Sequence, residues 1–197
     1  MSGEAGLASR AGYFLLSLSV VAADQATKLA AHLWLGDGAG PVTIVPGFFD
    51  LWYSRNAGGL FGSFRDWSGP GRFVLLTLLP IVAVVLIARF LARGGASDRP
   101  TLVGLSLILG GAVGNLIDRL LRGEVIDFLD VYVAPSRLAR WLEAQFGTAH
   151  WPTFNLADSA IVVGACLLLW TVVRPQPRTA GDDGGHPARD AGRDESL

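Results

Sequence analysis

Four stretches of this chain, Ala11 to Leu35, Phe73 to Ala92, Thr101 to Leu121 and Phe154 to Val173, each run to about 20 mostly apolar residues, the length a helix needs to cross a hydrocarbon core about 30 Å thick. In lipid every backbone polar group must be satisfied internally, so such stretches can only be helices packed as a bundle. The expected fold is an α-helical membrane protein with four transmembrane helices. The composition agrees: 51% of the 197 residues are hydrophobic and 17% charged, against roughly 25% charged in a soluble domain. A net charge of −1 gives no electrostatic footprint for nucleic acid. One cysteine, Cys166, excludes an internal disulfide, and His32, His150 and His186 are too scattered for metal-ligand spacing, so no metal or cofactor is expected.

The first span resembles a secretory signal at Val21-Ala22-Ala23, but only Arg10 precedes the run, and the apolar pattern continues through Leu29, Ala30, Leu33 and Trp34. Pro80 inside the second span predicts a kink. Gly110, Gly111 and Gly114 in the third span, with Ala160 and Gly164 in the fourth, follow small-xxx-small spacing and predict close helix contact. An even number of spans puts both termini on one side. Arg89, Arg93 and Arg99 crowd the short second connection, and Arg10, Arg174 and Arg178 flank the terminal spans, which marks that side as cytoplasmic.

Two outer segments remain, 36–71 and 123–153. The first holds Val42 to Val45 and Phe48 to Tyr53, broken by Gly and Pro, and reads as short strands of a small outer β-sheet. In the second, Leu138, Trp141, Leu142 and Phe146 share a helical face between Ser136 and Gly147, which predicts an interfacial amphipathic helix. Residues 1–174 form the membrane domain. The Gly-, Pro- and Asp-rich stretch 175–197 reads as a disordered cytoplasmic tail.

Ionisable groups inside spans are costly and therefore candidates for function. Asp118 lies seventeen residues beyond Thr101, or about 25 Å at about 1.5 Å per residue, near the outer interface. Asp158 is four residues, or about 6 Å, into the returning fourth span, at the same depth. Asp127 follows just past the third span. The motifs Asn115-x-x-Asp118 and Asn155-x-x-Asp158 each put an amide beside a carboxylate. Two carboxylates meeting in a poorly hydrated site share a proton, one serving as base and the other as acid, and so can activate water against an amide. The residues leave either Asp118 or Asp127 as partner of Asp158. The competing structural reading pairs the acids with Arg119 or places them at helix ends.

Span one adds Asp24 and Lys28, an i, i+4 pair. Either they neutralise each other, or Lys28, the only lysine, points outward to a lipid headgroup or substrate. Arg55-Asn56-Ala57-Gly58-Gly59-Leu60-Phe61 reads as a turn able to hold a peptide backbone or phosphate. Serine-lysine chemistry would rest on Ser159 near Lys28, but no Gly-x-Ser-x-Gly elbow exists. Cys166 reads as a small buried hydrophobe. A transporter or proton relay also buries carboxylates, but near the midplane of larger bundles. A purely structural scaffold leaves three acids and two asparagines unexplained.

Five blocks in order, Asp24-Gln25 with Lys28, Arg55-Asn56-x-Gly-x-x-Phe61, Gly111-x-x-Gly114-Asn115-x-x-Asp118-Arg119, Val125-Ile126-Asp127-Phe128 and Phe154-Asn155-x-Ala157-Asp158, resemble bacterial lipoprotein signal peptidase, or signal peptidase II. The resemblance implies a four-span aspartic endopeptidase of the bacterial inner membrane, without metal or cofactor; a monomer is expected. Its partners would be membrane phospholipid and prolipoproteins whose lipobox cysteine carries diacylglycerol, cut just before that cysteine. It implies Asp127 and Asp158 as catalytic dyad. Asn115, Asp118, Arg119 and Asn155 would support the site, and Asn56 would help hold substrate. The stretch between the two acids is longer than the family pattern, and the Ser136 to Gly147 helix accounts for the excess.

Overall fold

The computed structural model describes residues 2–36, 38, 40–57, 70–93 and 98–174, with side chains from residue 10 onward. The expected tail, 175–197, and Gly58 to Phe61 of the expected turn lie outside the described residues. The chain order is α1 (Ser2–Leu35), β1 (Val42–Val45), β2 (Phe49–Asn56), α2 (Pro70–Phe73), a π-helical turn (Val74–Leu78), α3 (Leu79–Arg93), α4 (Arg99–Arg122), β3 (Val125–Val131), α5 (Arg137–Phe146) and α6 (Leu156–Val173). Among the described residues four helical spans result, Arg10–Leu35, Pro70–Arg93, Arg99–Arg122 and Leu156–Val173, each long and apolar enough to cross a membrane. They coincide with the four apolar stretches to within a few residues.

The predicted irregularity at Pro80 takes a specific form. Proline has no N–H to give the carbonyl four residues back and its ring crowds that carbonyl. Just before it the ladder lengthens by one residue, so that the Leu79 N–H donates to the Val74 carbonyl.

Helix α4 is the centre of the bundle, packed on α1 and α6. Glycine permits the approach on both sides, and two contacts with α6 illustrate it. A Cβ on Gly104 would stand 2.9 Å from the Gly164 carbonyl oxygen, and one on Gly111 would collide with the Ala157 carbonyl. Ser17 of α1 donates to the Ser106 carbonyl of α4 at 2.9 Å. At one end of the bundle the Arg10 guanidinium donates to the Ala92 carbonyl at 3.0 Å, and Arg174 pairs with Asp98. The start of span one, the end of span two, the start of span three and the end of span four therefore meet there.

The other end carries an antiparallel sheet in the order β1-β2-β3. The sequence reading ended its second strand at Tyr53 and made Arg55 and Asn56 a turn, but β2 runs on to Asn56, because its far end pairs with a strand the reading missed. That strand, β3, carries Asp127, which sits in a sheet and not in a loop after the third span. Tyr53, Ile126 and Phe128 pack on Ala31 and Leu35, fastening the sheet to α1. Segment 149–154 covers the free edge of β3, with Trp151 N–H donating to the Val131 carbonyl at 2.7 Å and Phe154 N–H to the Leu129 carbonyl at 3.0 Å.

Helix α5 matches its expected limits. The Ser136 hydroxyl accepts from Ala139 N–H at 3.1 Å, and Gly147, at φ 78°, ends the helix by donating to the Glu143 carbonyl at 2.8 Å. Leu138, Trp141 and Phe146 on its apolar face are exposed. Cys166 is exposed on the outside of the bundle, which corrects its reading as a buried residue.

Candidate active site

Three charged side chains, Asp24, Lys28 and Asp118, are wholly buried where α1, α4 and α6 meet beneath the sheet. An ammonium has three donors. Those of Lys28 go to Asp24 at 2.8 Å, Asp118 at 2.8 Å and the Asn115 carbonyl oxygen at 3.0 Å. The alternative of Lys28 as an outward-facing headgroup ligand is thereby overturned: its donors are used and no part of it reaches the surface. Asp118 also pairs with Arg122, one turn on, so two acids face two cations. The expected partner of Asp118, Arg119, is not the one it bonds. Gln25 donates to Asp118 and to the Gly114 carbonyl, each at 3.2 Å, a role the sequence reading did not assign.

The buried cluster sets the start of α6. Asp24 accepts from the Ala157 N–H at 2.9 Å. Asn155 is the N-cap: its carbonyl oxygen accepts from the Asp158 N–H at 2.9 Å, while Asp158 accepts from the Asn155 N–H at 3.3 Å. The second Asn-x-x-Asp motif is thus a reciprocal helix cap and not a pair on one helical face. With its oxygen committed to the cap, the Asn155 amide nitrogen turns across to β3 and donates to Asp127 at 2.7 Å. Asn115, its oxygen held by Lys28, turns its amide nitrogen to Asp158 at 2.7 Å. The Asn56 amide reaches Asp127 from β2 at 2.9 Å. Arg119 brings a guanidinium within electrostatic reach of Asp158, Asp127 and Asp118. Arg55 pairs with Glu124 at 3.0 Å.

Two kinds of carboxylate result. Asp24 and Asp118 are neutralised by direct ion pairs, whereas Asp127 and Asp158 receive amide donors and face each other's charge. Burial pushes the Asp127 carboxyl up to about 7. The Asn56 amide works against that rise, Asp158 adds to it, and Asn155 and Lys28 oppose it. Asp127 is 1% exposed and Asp158 is only partly buried, so the pair opens on the Asp158 side. Such a pair can hold one proton between two carboxyls.

The sequence profile of the family described as signal peptidase (SPase) II matches residues 16–174, which include every residue of this cluster. The chain belongs to the signal peptidase II family. Similar signal peptidases include the lipoprotein signal peptidase of Solibacter usitatus strain Ellin6076, 44% identical over 70% of this chain and 76% of that protein. The lipoprotein signal peptidase of Chlorobium phaeovibrioides strain DSM 265 / 1930 is 37% identical over 88% of this chain and 97% of its own. Among solved structures, a bacterial membrane enzyme superposes with a TM-score of 0.66 at 25% identity, covering 84% of this chain and 95% of that one. As a signal peptidase II, the chain is a multi-pass bacterial membrane peptidase that removes signal peptides from lipoprotein precursors.

Proposed function

We propose that Asp127 and Asp158 are the catalytic dyad of this signal peptidase and that it cuts diacylglyceryl-modified prolipoproteins just before the lipidated cysteine. The observation that carries the assignment is the double use of Asn155, whose amide bonds Asp127 while its carbonyl oxygen caps the backbone of Asp158. A single side chain therefore fixes the spacing of two acids that come from a strand and a helix. Asp118 is a poor candidate for the partner, since its oxygens are engaged by Lys28 and Arg122.

The proton inventory follows from the surroundings. Asp127, whose carboxyl is pushed up to about 7, starts protonated, and Asp158 starts as the base. Asp158 takes a proton from water as the oxygen attacks the carbonyl before the cysteine, and Asp127 gives its proton to the carbonyl oxygen. The tetrahedral intermediate then returns a proton to Asp127, and the leaving cysteine nitrogen takes the one on Asp158. The C–N bond breaks, and both acids are back in their starting states. Arg119 supports the charge that develops on the oxygen.

The orientation belongs to the same reading. Arg10, Arg93, Arg99 and Arg174 gather at the end away from the sheet, which supports cytoplasmic termini and a site near the outer leaflet. The exposed apolar face of α5 and exposed Val42, Ile44 and Phe48 then lie against phospholipid, and the enzyme works as a monomer. Purified enzyme given a diacylglyceryl-modified prolipoprotein tests the dyad. Asp127→Asn and Asp158→Asn each lose nearly all cleavage while remaining folded in detergent, and retained cleavage in either rejects the assignment.

A further inference from the structure

A groove of about 730 Å³ lies outside the catalytic cluster, between the end of β2, the end of α5 and segment 148–153. Trp52, Phe146 and Trp151 form its apolar walls, and Ser54, Arg55, Asp130, Thr148, His150 and Thr153 are polar residues along it. Its position relative to the dyad follows from the strand register. Ser54 stands directly opposite Asp127, and directly paired residues point to one face of a sheet. Beyond that pair the ladder is irregular: Trp52 and Tyr53 of β2 stand against Phe128 alone, while on the other edge of β3 Phe128 and Leu129 both donate to the Phe154 carbonyl, at 3.0 and 2.9 Å, and both pack towards the same core. Asp130, three positions beyond Asp127, lines the groove together with Ser54.

The groove is firm. Asp130 is 1% exposed and accepts from His150 Nδ1 at 2.9 Å, while Tyr132 stacks on the imidazole with ring centres 5.0 Å apart and planes 16° from parallel. A carboxylate can only accept, so the Nδ1 hydrogen is fixed and Nε2 is left as the ring's second polar atom. Trp52 also meets the ring edge-on, with centres 6.3 Å apart.

We infer that this groove binds the first residues of the mature lipoprotein, the extended segment that follows the scissile bond. The inference rests on the dyad reading above. The signal sequence of a prolipoprotein is an apolar helix and needs the hydrocarbon, so the chain beyond the cut must leave the dyad at the sheet end of the bundle. The groove begins there, at the residue facing Asp127. From Ser54 to Trp52 is two strand residues, roughly 7 Å at about 3.3 Å per residue, so Trp52 and Trp151 meet the second to fourth residues after the cut. Aromatic walls beside a hydroxyl and an imidazole suit one apolar side chain and the peptide groups on either side of it.

Two diacylglyceryl-modified peptides test this, one ending at the first residue after the cysteine and one continuing for several residues with an aromatic at the third. The intact enzyme in detergent should cleave the longer with a kcat/KM about tenfold higher, through KM, the worth of one buried aromatic contact. In Trp52→Ala that ratio falls to about one. Thr148→Trp, which fills the groove from its exposed rim, does the same and guards against misfolding of the first variant. Equal KM values for the two peptides in the unaltered enzyme overturn the inference. Failure of the dyad reading shows separately, as cleavage of the shorter peptide by Asp158→Asn.

Discussion

The carboxylate of Asp24 accepts a hydrogen bond from the backbone N–H of Ala157 at 2.9 Å, across 133 residues of chain. An acid in the first span is thereby part of the N-terminal cap of the last. The same carboxylate pairs with Lys28, so its removal orphans the Ala157 amide and leaves one donor of the buried ammonium unmet, with Asp118 and Asn115 still holding the other two. Asp24→Ala should lower stability by about 3 to 5 kcal/mol, the usual cost of breaking a buried pair from one side. Thermal unfolding in detergent checks this, and a variant that unfolds at the temperature of the parent contradicts the capping role. Asp24→Asn keeps an acceptor for Ala157 and should lose less.

Asp118→Asn separates structural acids from the dyad. It leaves Lys28 with Asp24 and weakens the hold on Arg122, so unfolding temperature should drop while cleavage falls by about tenfold or less. Activity abolished together with an unchanged unfolding temperature would place Asp118 among the reacting groups.

The rate should depend on pH through Asp127. As the proton donor with a carboxyl near 7, it is competent below that value, and kcat/KM should fall about tenfold per unit above it. The Asn56 amide opposes the upward shift, so Asn56→Ala should move the alkaline limb to higher pH, and a limb that moves down rejects the assignment. Folding responds with a definite sign. Between the ordinary 3.8 and about 7 the native carboxyl holds a proton that the unfolded chain has released, so its contribution to stability declines as pH rises through that window.

Gly114 lies against the ion-pair cluster. A Cβ there would stand 2.6 Å from Asp24 Oδ2, and the bond from Asp24 to Lys28 leaves that oxygen no room to retreat. Gly114→Ala should cost about 1 to 3 kcal/mol by overpacking. If its unfolding curve overlays that of the parent, the close approach of α1 to α4 is not rigid.

Trp141 on the exposed face of α5 packs edge-on to Phe146, with ring centres 6.1 Å apart. Trp141→Glu should raise KM more than it lowers kcat, because it weakens the hold of α5 on the lipid surface and leaves the dyad intact. A collapsed kcat at constant KM would mean that the helix shapes the catalytic geometry.

The spans and α5 were legible because their signals are local: apolar length in one case, and caps with a 3.6-residue stripe in the other. The strand β3 was not. Val125, Ile126, Asp127, Phe128 and Asp130 are all buried, so no alternation marks a strand, and its partner β2 lies some seventy residues earlier. Without β3, the end of β2 reads as a turn. The acids were legible as residues out of place in a membrane, but their division into neutralised and amide-bonded pairs depends on which helices meet. Lys28 had two readings for that reason, and its third donor, to Asn115, could be known only in three dimensions. The pairing of His150 with Asp130 escapes the sequence because the two are twenty residues apart with a helix between them.

The cap on α6 also sets an order of events. Ribosomes deliver the chain from its N-terminus, so Asp24, Lys28, Gly114 and Asn115 are in the membrane before Asn155 and Asp158 emerge. The last helix arrives at a prepared socket, with a carboxylate waiting for its Ala157 amide and an amide waiting for its Asp158 side chain. An unfinished chain has one acid of the proposed dyad and lacks the other. Proteolytic competence, on this reading, switches on at the final docking step, when synthesis of the membrane domain is complete.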